Sequence, residues 1–240
     1  MLMEHWPWFL SIAILGGLVR GLTGFGGAMV MTLPLAWFMA PSEAISVVFL
    51  LESVSAIPLL RRAYRHCSWQ TLVPICASAA ILLPFGVAAQ SRMDPETVRS
   101  AIASMVVIFS VLLMLGIRMR REPFPWASST IGGVSGFLTG LTGIGGAPVI
   151  VYLLASKDPA EISRANLMIF ITFIASFGLL VLALNGLIGL SGFYLMLMMT
   201  PIYLIGGFGG DRLVHGLPVV AVRRFTLSFL ALSGLVSLVV

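Results

Sequence analysis

The chain has 240 residues, of which 59% are hydrophobic and only 10% are charged, and its mean hydropathy is +1.06. A soluble domain carries about 25% charged residues, so this composition excludes a protein whose whole surface faces water. The net charge of +5 does not indicate nucleic-acid binding, because the basic residues form short clusters between long apolar segments, as they do in membrane proteins. We therefore predict a single all-α integral membrane domain embedded in a lipid bilayer.

In chain order, each half of the sequence contains five apolar segments. They are 6–19, 28–40, 42–60, 70–89 and 98–117 in the first half, and 126–139, 147–156, 162–184, 189–206 and 219–240 in the second. The longer ones approach the ~20 residues that cross a bilayer as a helix. The first two of each half are short, and residues 28–40 make only about 20 Å of helix. Two architectures stay open: eight spans with two re-entrant hairpins, or ten short spans.

The two halves share a glycine-rich motif. Residues 21–28 read GLTGFGGA and residues 140–147 read GLTGIGGA, so seven of eight positions match at an offset of 119 residues. Farther on, Pro41 and Glu43 correspond to Pro159 and Glu161. A match spaced at half the chain length indicates duplication, and we predict repeats at 1–121 and 122–240.

The distribution of basic residues predicts the topology. Alternating the chain from a cytoplasmic loop after residue 60 places eleven basic residues inside, against Arg92 and Arg99 outside, with Arg20 undecided. The inside set is Arg61, Arg62, Arg65, Arg118, Arg120, Arg121, Lys157, Arg164, Arg212, Arg223 and Arg224. This positive-inside pattern requires an odd number of crossings per half. The repeats are then inverted, as in many secondary transporters, and both termini lie outside.

The glycine motifs predict an anion site. Glycine permits positive φ, but unwound backbone at membrane depth must be buried or line an aqueous cavity. A helix that restarts after each motif presents free amide N–H groups and the positive end of its dipole, which together bind anions. The predicted site consists of Thr23, Gly24, Phe25, Gly26 and Gly27 with Thr142, Gly143, Ile144, Gly145 and Gly146, the threonine hydroxyls acting as donors. The alternative is that these glycines only permit tight helix crossing.

These paired turns, each followed by an apolar segment, resemble those of the TauE/SafE sulfite-exporter family of membrane permeases, and the resemblance covers essentially the whole chain. It implies export or exchange of small sulfur-containing anions, such as sulfite or organosulfonates, across a prokaryotic-type plasma (inner) membrane. A secondary transporter working by alternating access is the function we predict. The family's glycine motifs fall on Gly24, Gly26, Gly27, Gly143, Gly145 and Gly146.

Three further polar residues are candidates for the site. Glu52 lies in the middle of segment 42–60, where an isolated carboxylate is costly; it either carries a coupled proton or makes a structural hydrogen bond. Asn166 either donates its amide to the substrate or forms a helix–helix hydrogen bond. Arg20 either attracts the anion or extends to the cytoplasmic interface. A small anion and a coupling proton are thus the predicted partners.

Other functions find less support in the sequence. No histidine falls in a predicted span and Glu52 is the one carboxylate near mid-membrane, so a catalytic pair is not expected. Lys157 is not preceded by G-x-x-x-x-G, so there is no Walker A loop. His5, His66 and His215 lie in predicted loops without metal-ligand spacing, and neither metal nor cofactor is expected.

A channel is the alternative function. Residues 23–26 are similar to the carbonyl-lined filters of cation channels, although one residue shorter, and re-entrant glycine-rich loops would form such a filter. Small residues on the helix faces also permit a homodimer.

Overall fold

The fold is taken from a computed structural model, which describes residues 5–115, 125–156 and 158–214 and the isolated positions 228, 231 and 234. Within these ranges the regular structure is helical throughout. The helices are α1 (Trp6–Thr23), α2 (Gly27–Phe38), α3 (Pro41–His66), α4 (Trp69–Gln90), α5 (Pro95–Leu115), α6 (Pro125–Thr142), α7 (Ala147–Ala155), α8 (Ala160–Leu184) and α9 (Leu190–Val214). The predicted segment 219–240 and six residues of the inside charge set lie outside the described residues: Arg118, Arg120, Arg121, Lys157, Arg223 and Arg224.

Five helices are long and apolar enough to cross a membrane by length and composition. These stretches are Trp6–Thr23, Trp69–Gln90, Pro95–Leu115, Glu161–Leu184 and Gly192–Leu213. The short α2 and α7, with 12 and 9 residues, match the predicted short segments. The all-helical membrane fold is therefore confirmed.

The largest differences from the predicted segments lie at the ends of α3 and α9. α3 continues to His66, so Arg61 and Arg65 lie on its last turns rather than in a loop. α9 continues to Val214, past the predicted end at residue 206, and keeps the four glycines of the sequence GGFGG at 206–210 helical. Tertiary packing explains the second difference, because Gly206 and Gly210 face α1 at close range and helix propensity is a weak constraint against such contacts.

The third helices of the two halves, α3 and α8, pack against one another near the centre of the bundle. The Ser53 and Ser176 hydroxyl oxygens lie 3.1 Å apart. Farther along α3, past its end, the Ser68 N–H donates to Asn166 Oδ1 at 2.8 Å. From the first contact to the second, the residue number rises along α3 and falls along α8, so the two helices run antiparallel.

Two glycine-rich crossings flank this central pair. α1 packs on α9, and α6, the counterpart of α1, packs on α4, the counterpart of α9. A Cβ on Gly17 would clash with the backbone oxygen of Tyr203, and a Cβ on Gly136 would clash with that of Ala79. Further contacts of this kind pair Gly21 with Gly207, Gly210 with Leu18, Gly140 with Leu83 and Gly86 with Phe137. Each of these contacts between α1 and α9 therefore has an equivalent between α6 and α4. The α1 and α6 residues differ by 119 in number, and the α9 and α4 residues differ by 124.

The end of α3 and the start of α8 lie at the same end of the bundle. His66 Nε2 is 3.8 Å from Glu161 Oε1, which brings the α3–α4 and α7–α8 connections together. The charge pattern requires these two connections to share a side. The orientation of this end toward the cytoplasm, and with it the inverted arrangement of the repeats in a bilayer, stays a prediction.

Candidate functional site

The first glycine turn joins α1 to α2. Gly24 adopts a φ of +79° and caps α1, donating its N–H to the Arg20 carbonyl at 2.7 Å. Gly26 adopts a φ of +90°, and α2 begins at the next residue, Gly27. Only glycine takes up these left-handed conformations readily, so the chain can reverse and restart a helix within three residues.

The second glycine turn joins α6 to α7 with a related backbone. Gly143 adopts a φ of +76° and donates its N–H to the Thr139 carbonyl at 2.8 Å. Gly146, however, has a φ of −66°, and α7 begins after it at Ala147. The helix restart predicted after each motif is confirmed, although the second turn uses one left-handed glycine where the first uses two.

The threonine hydroxyls shape the turns from within. The Thr23 hydroxyl donates to the Val19 carbonyl at 2.8 Å and accepts the Phe25 N–H at 3.3 Å. The Thr142 hydroxyl bonds to the Leu138 carbonyl and the Ile144 N–H at the same two distances. A hydroxyl has one proton to donate, and here the protein's own carbonyl takes it. Donation by Thr23 and Thr142 to an anion would require these bonds to break, and it stays a prediction.

Both turns border one space, which we call the central cavity. Its volume is about 50 Å³, and its walls include Gly26 from the first turn and Gly143 and Gly146 from the second. Glu52 and Thr139 are its polar side chains, and the rest of the lining is mainly apolar. Of the other predicted site residues, Ile144 also lines it, whereas Arg20, Thr23, Gly24, Phe25, Gly27, Thr142, Gly145 and Asn166 do not.

The first turns of α2 and α7 both contribute residues to the central cavity. Ala28 and Met29 line it from α2, and Ala147 and Ile150 line it from α7. The earliest amides of each helix have no intrahelical carbonyl to bond, because the ladders begin only with Val30 and with Ile150. Pro148 lacks an N–H, so α7 offers fewer donors than α2.

A buried polar cluster closes one side of the central cavity. Arg20 of α1 forms an ion pair with Glu52 of α3, and their side chains are only 11% and 4% exposed. The hydroxyl of Tyr203, on α9, donates to Glu52 Oε1 at 2.8 Å. The Arg20 side chain is buried in this ion pair and does not extend to the interface. The sequence suggested an isolated carboxylate at Glu52, but the structure gives it two partners. An ion pair with a further hydrogen bond stabilises such buried charge.

Tyr203 was not predicted as a site residue. It lies 151 residues from Glu52 in the sequence, and one tyrosine in an apolar helix resembles an ordinary packing residue. No sequence signal on α9 marks it, and the contact becomes visible only when α9 packs against α1 and α3.

A second cavity, which we call the vestibule, lies on the other side of this cluster. It measures about 120 Å³ and is lined by Arg20, Ser55, Arg164, Tyr203 and Asp211 together with glycines and apolar side chains. Glu52 lines only the central cavity, whereas Arg20 and Tyr203 line only the vestibule. The cluster therefore separates the two spaces.

Asn166 lies away from both cavities and is fully buried. Its Oδ1 accepts the N–H of Ser68, the residue that precedes α4, at 2.8 Å. Its Nδ2 has no hydrogen-bond partner among the residues that the structure describes. Asn166 thus joins α8 to the start of α4, and a role in binding substrate stays a prediction.

The five long apolar helices are those of a multi-pass membrane protein. The family model described as Sulfite exporter TauE/SafE matches residues 9–237, and the chain belongs to this family. The family consists of transporters rather than enzymes. No curated protein and no solved structure matches the chain.

Proposed function

We propose that this protein is a secondary transporter that exports a small sulfur oxyanion of the size of sulfite across the plasma (inner) membrane by alternating access. The observation that carries the proposal is the single central cavity bordered by both glycine turns, with Glu52 in its wall. The two halves, 1–121 and 122–240, act as inverted repeats that rock around this cavity. Both termini lie outside.

The size of the central cavity favours the smallest substrates of the class. About 50 Å³ is available, and one water needs roughly 10–15 Å³ on this measure. The space thus holds about four water-sized groups, which matches the four heavy atoms of sulfite. An organosulfonate with a carbon chain would require the walls to move apart.

The helix starts supply the binding groups. Free amides of α2 and α7 bond the anion's oxygens, and the apolar walls strengthen each charge interaction by lowering the local dielectric. The Arg20–Glu52 pair contributes almost no net charge to the cavity while Glu52 is ionised.

A proton on Glu52 couples to the anion. Protonation removes the carboxylate charge that holds Arg20, and the arginine then attracts an anion into the site. The groups facing Glu52 from neighbouring helices are Arg20 on α1 and Tyr203 on α9, with Arg164 and Asp211 farther off in the vestibule. One proton therefore accompanies one anion in each cycle.

The test is counterflow of labelled sulfite in proteoliposomes containing the full chain. We expect Gly146→Leu to abolish counterflow, because a Cβ there meets only Phe170, at 4.0 Å, and the longer side chain fills the cavity. Gly209→Leu is the matched control, since nothing lies within 4 Å of a Cβ at that position.

Saturable counterflow that Gly146→Leu removes and Gly209→Leu keeps supports the carrier. Normal transport by Gly146→Leu excludes the central cavity as the substrate site. Unitary currents, or flux that never saturates, show the channel instead.

A further inference from the structure

We infer that the vestibule is a second anion-binding site, in which Arg20 and Arg164 hold a sulfite or sulfonate group before it reaches the central cavity. The inference rests on the proposed anion transport and extends it to a site and a residue, Arg164, that the glycine motifs do not include.

The charges of the vestibule support this site. Arg20 approaches it from α1 and Arg164 from α8. Arg164 makes no ion pair with any other described residue, so its guanidinium is available for two parallel hydrogen bonds to an oxyanion. Asp211 also lines the cavity, but it already makes an interaction of its own.

The position of the vestibule also fits an access site. Arg164 stands near the start of α8, in the first turns after Glu161, whose carboxylate lies 3.8 Å from His66 at one end of the bundle. The Arg20 side chain lies at the inner boundary, where Glu52 holds it from the side of the central cavity. An anion bound in the vestibule would therefore contact the same arginine that Glu52 holds, and it competes with Glu52 for that charge.

The two cavities differ in the size of anion that they admit. The vestibule has about 120 Å³ against about 50 Å³ for the central cavity. Bulkier sulfonates such as benzenesulfonate should bind in the vestibule without passing inward. They should act as inhibitors that compete with sulfite.

The experiment measures binding of sulfite and of benzenesulfonate to the purified full-length protein by calorimetry. Arg164→Gln should raise the Kd of benzenesulfonate about tenfold, because a charge-assisted contact is lost. Asp211→Asn should lower it, because a like charge is removed. Arg65→Gln is the control, since it removes the same charge from an exposed residue on the same side of the protein and outside the vestibule.

If Arg164→Gln and Arg65→Gln change the Kd of benzenesulfonate equally, the vestibule site is overturned, because the binding then depends only on the general surface charge of the protein. Accumulation of benzenesulfonate inside proteoliposomes would overturn the size filter. Arg164-dependent binding in a protein that carries no sulfite would retain the vestibule and refute the proposed function. Sulfite counterflow with no Arg164-dependent binding would refute the vestibule site and retain the proposed function.

Discussion

At the first glycine turn a Cβ on Gly27 would lie 2.7 Å from Glu52 Oε1, whereas at the second a Cβ on Gly146 would lie 4.0 Å from a ring carbon of Phe170. The two turns have equivalent positions in the repeat, and so do Glu52 and Phe170, at the offset of 118 that relates Pro41 to Pro159. At the offset of 119 that relates the two glycine motifs, Arg20 corresponds to Thr139.

The helices that flank the two turns differ in the same way. Tyr203 contacts Gly17 in one crossing where Ala79 contacts Gly136 in the other. Both crossings keep a small residue where backbones touch, while the ion pair and the phenol occur on one side only. The backbone contacts of the two crossings are therefore alike, whereas Arg20 and Glu52 of the ion pair both lie in the first half. Changes at the first turn should therefore affect coupling, and equivalent changes at the second should not.

The largest expected effect comes from Glu52→Gln. It leaves Arg20 buried without a counter-charge, and breaking a buried pair in this way costs about 3–5 kcal/mol. We expect a clear drop in the apparent Tm and loss of sulfite uptake driven by a pH gradient.

The matched variant at the second turn is Phe170→Leu, which should keep the pH dependence of uptake. A double variant, Arg20→Gln with Glu52→Gln, should recover much of the Tm without recovering coupling. Retained coupling in Glu52→Gln would remove the asymmetry between the halves from the mechanism.

Tyr203→Phe should have the next largest effect. It removes one hydrogen bond to a charged group, which contributes roughly 1.5–3 kcal/mol, and leaves the ring packing in place. We expect a lower apparent Tm and slower sulfite counterflow, measured side by side with Tyr194→Phe, whose ring is exposed. If the two variants behave alike, the hydroxyl of Tyr203 has no special role.

Gly27→Ala and Gly146→Ala compare the two turns directly. At Gly27 the added methyl group would press on the Tyr203 hydroxyl, on Glu52 and on the Gly16 carbonyl, the last at 3.1 Å, and overpacking of this kind costs about 1–3 kcal/mol. Gly146→Ala has room and should be tolerated. Initial rates of counterflow and the apparent Tm test this, and equal losses at both turns would contradict the asymmetry.

The smallest effect should come from a residue remote from both turns. Hydrogen bonds from the Thr97 hydroxyl and N–H, at 2.7 and 2.9 Å, hold the pKa of the Asp94 carboxyl below its usual value at the start of α5. The ionised form is therefore favoured in the folded protein. Its stabilising contribution is present at neutral pH and is lost as the pH falls through that lowered pKa.

Asp94→Ala should accordingly lower the apparent Tm slightly at neutral pH, and its difference from the wild type should vanish in acid. Transport should not change. A difference in Tm that persists at low pH would contradict the role of the carboxylate, and a loss of transport would show that the effects at the turns are not local.

Much of the fold could be predicted from the sequence because it follows from local properties. Long apolar runs indicate membrane helices, and the glycines at 24, 26 and 143 indicate backbone that only glycine adopts readily. The end of α9 was harder to predict, since packing against α1 prolongs this helix beyond the point where hydropathy falls.

The site was predicted only in part. The repeated motif correctly indicated two helix starts, and both border one cavity. The bonding of the Thr23 and Thr142 hydroxyls depends on turn geometry that composition does not reveal. The hydrogen bond between Asn166 and Ser68 joins residues 98 positions apart, which the sequence does not reveal.

By itself, then, the sequence determined an all-helical membrane protein with two glycine turns at matching positions, because hydropathy and backbone freedom are properties of short segments. Only the tertiary structure decided that Arg20, Glu52 and Tyr203 meet, and that their cluster separates a small cavity from a larger one. The physical reason is that a buried charge is stabilised by whatever partner the packing of other helices brings to it. That partner can come from anywhere in the chain, here from residues 32 positions before Glu52 and 151 after it.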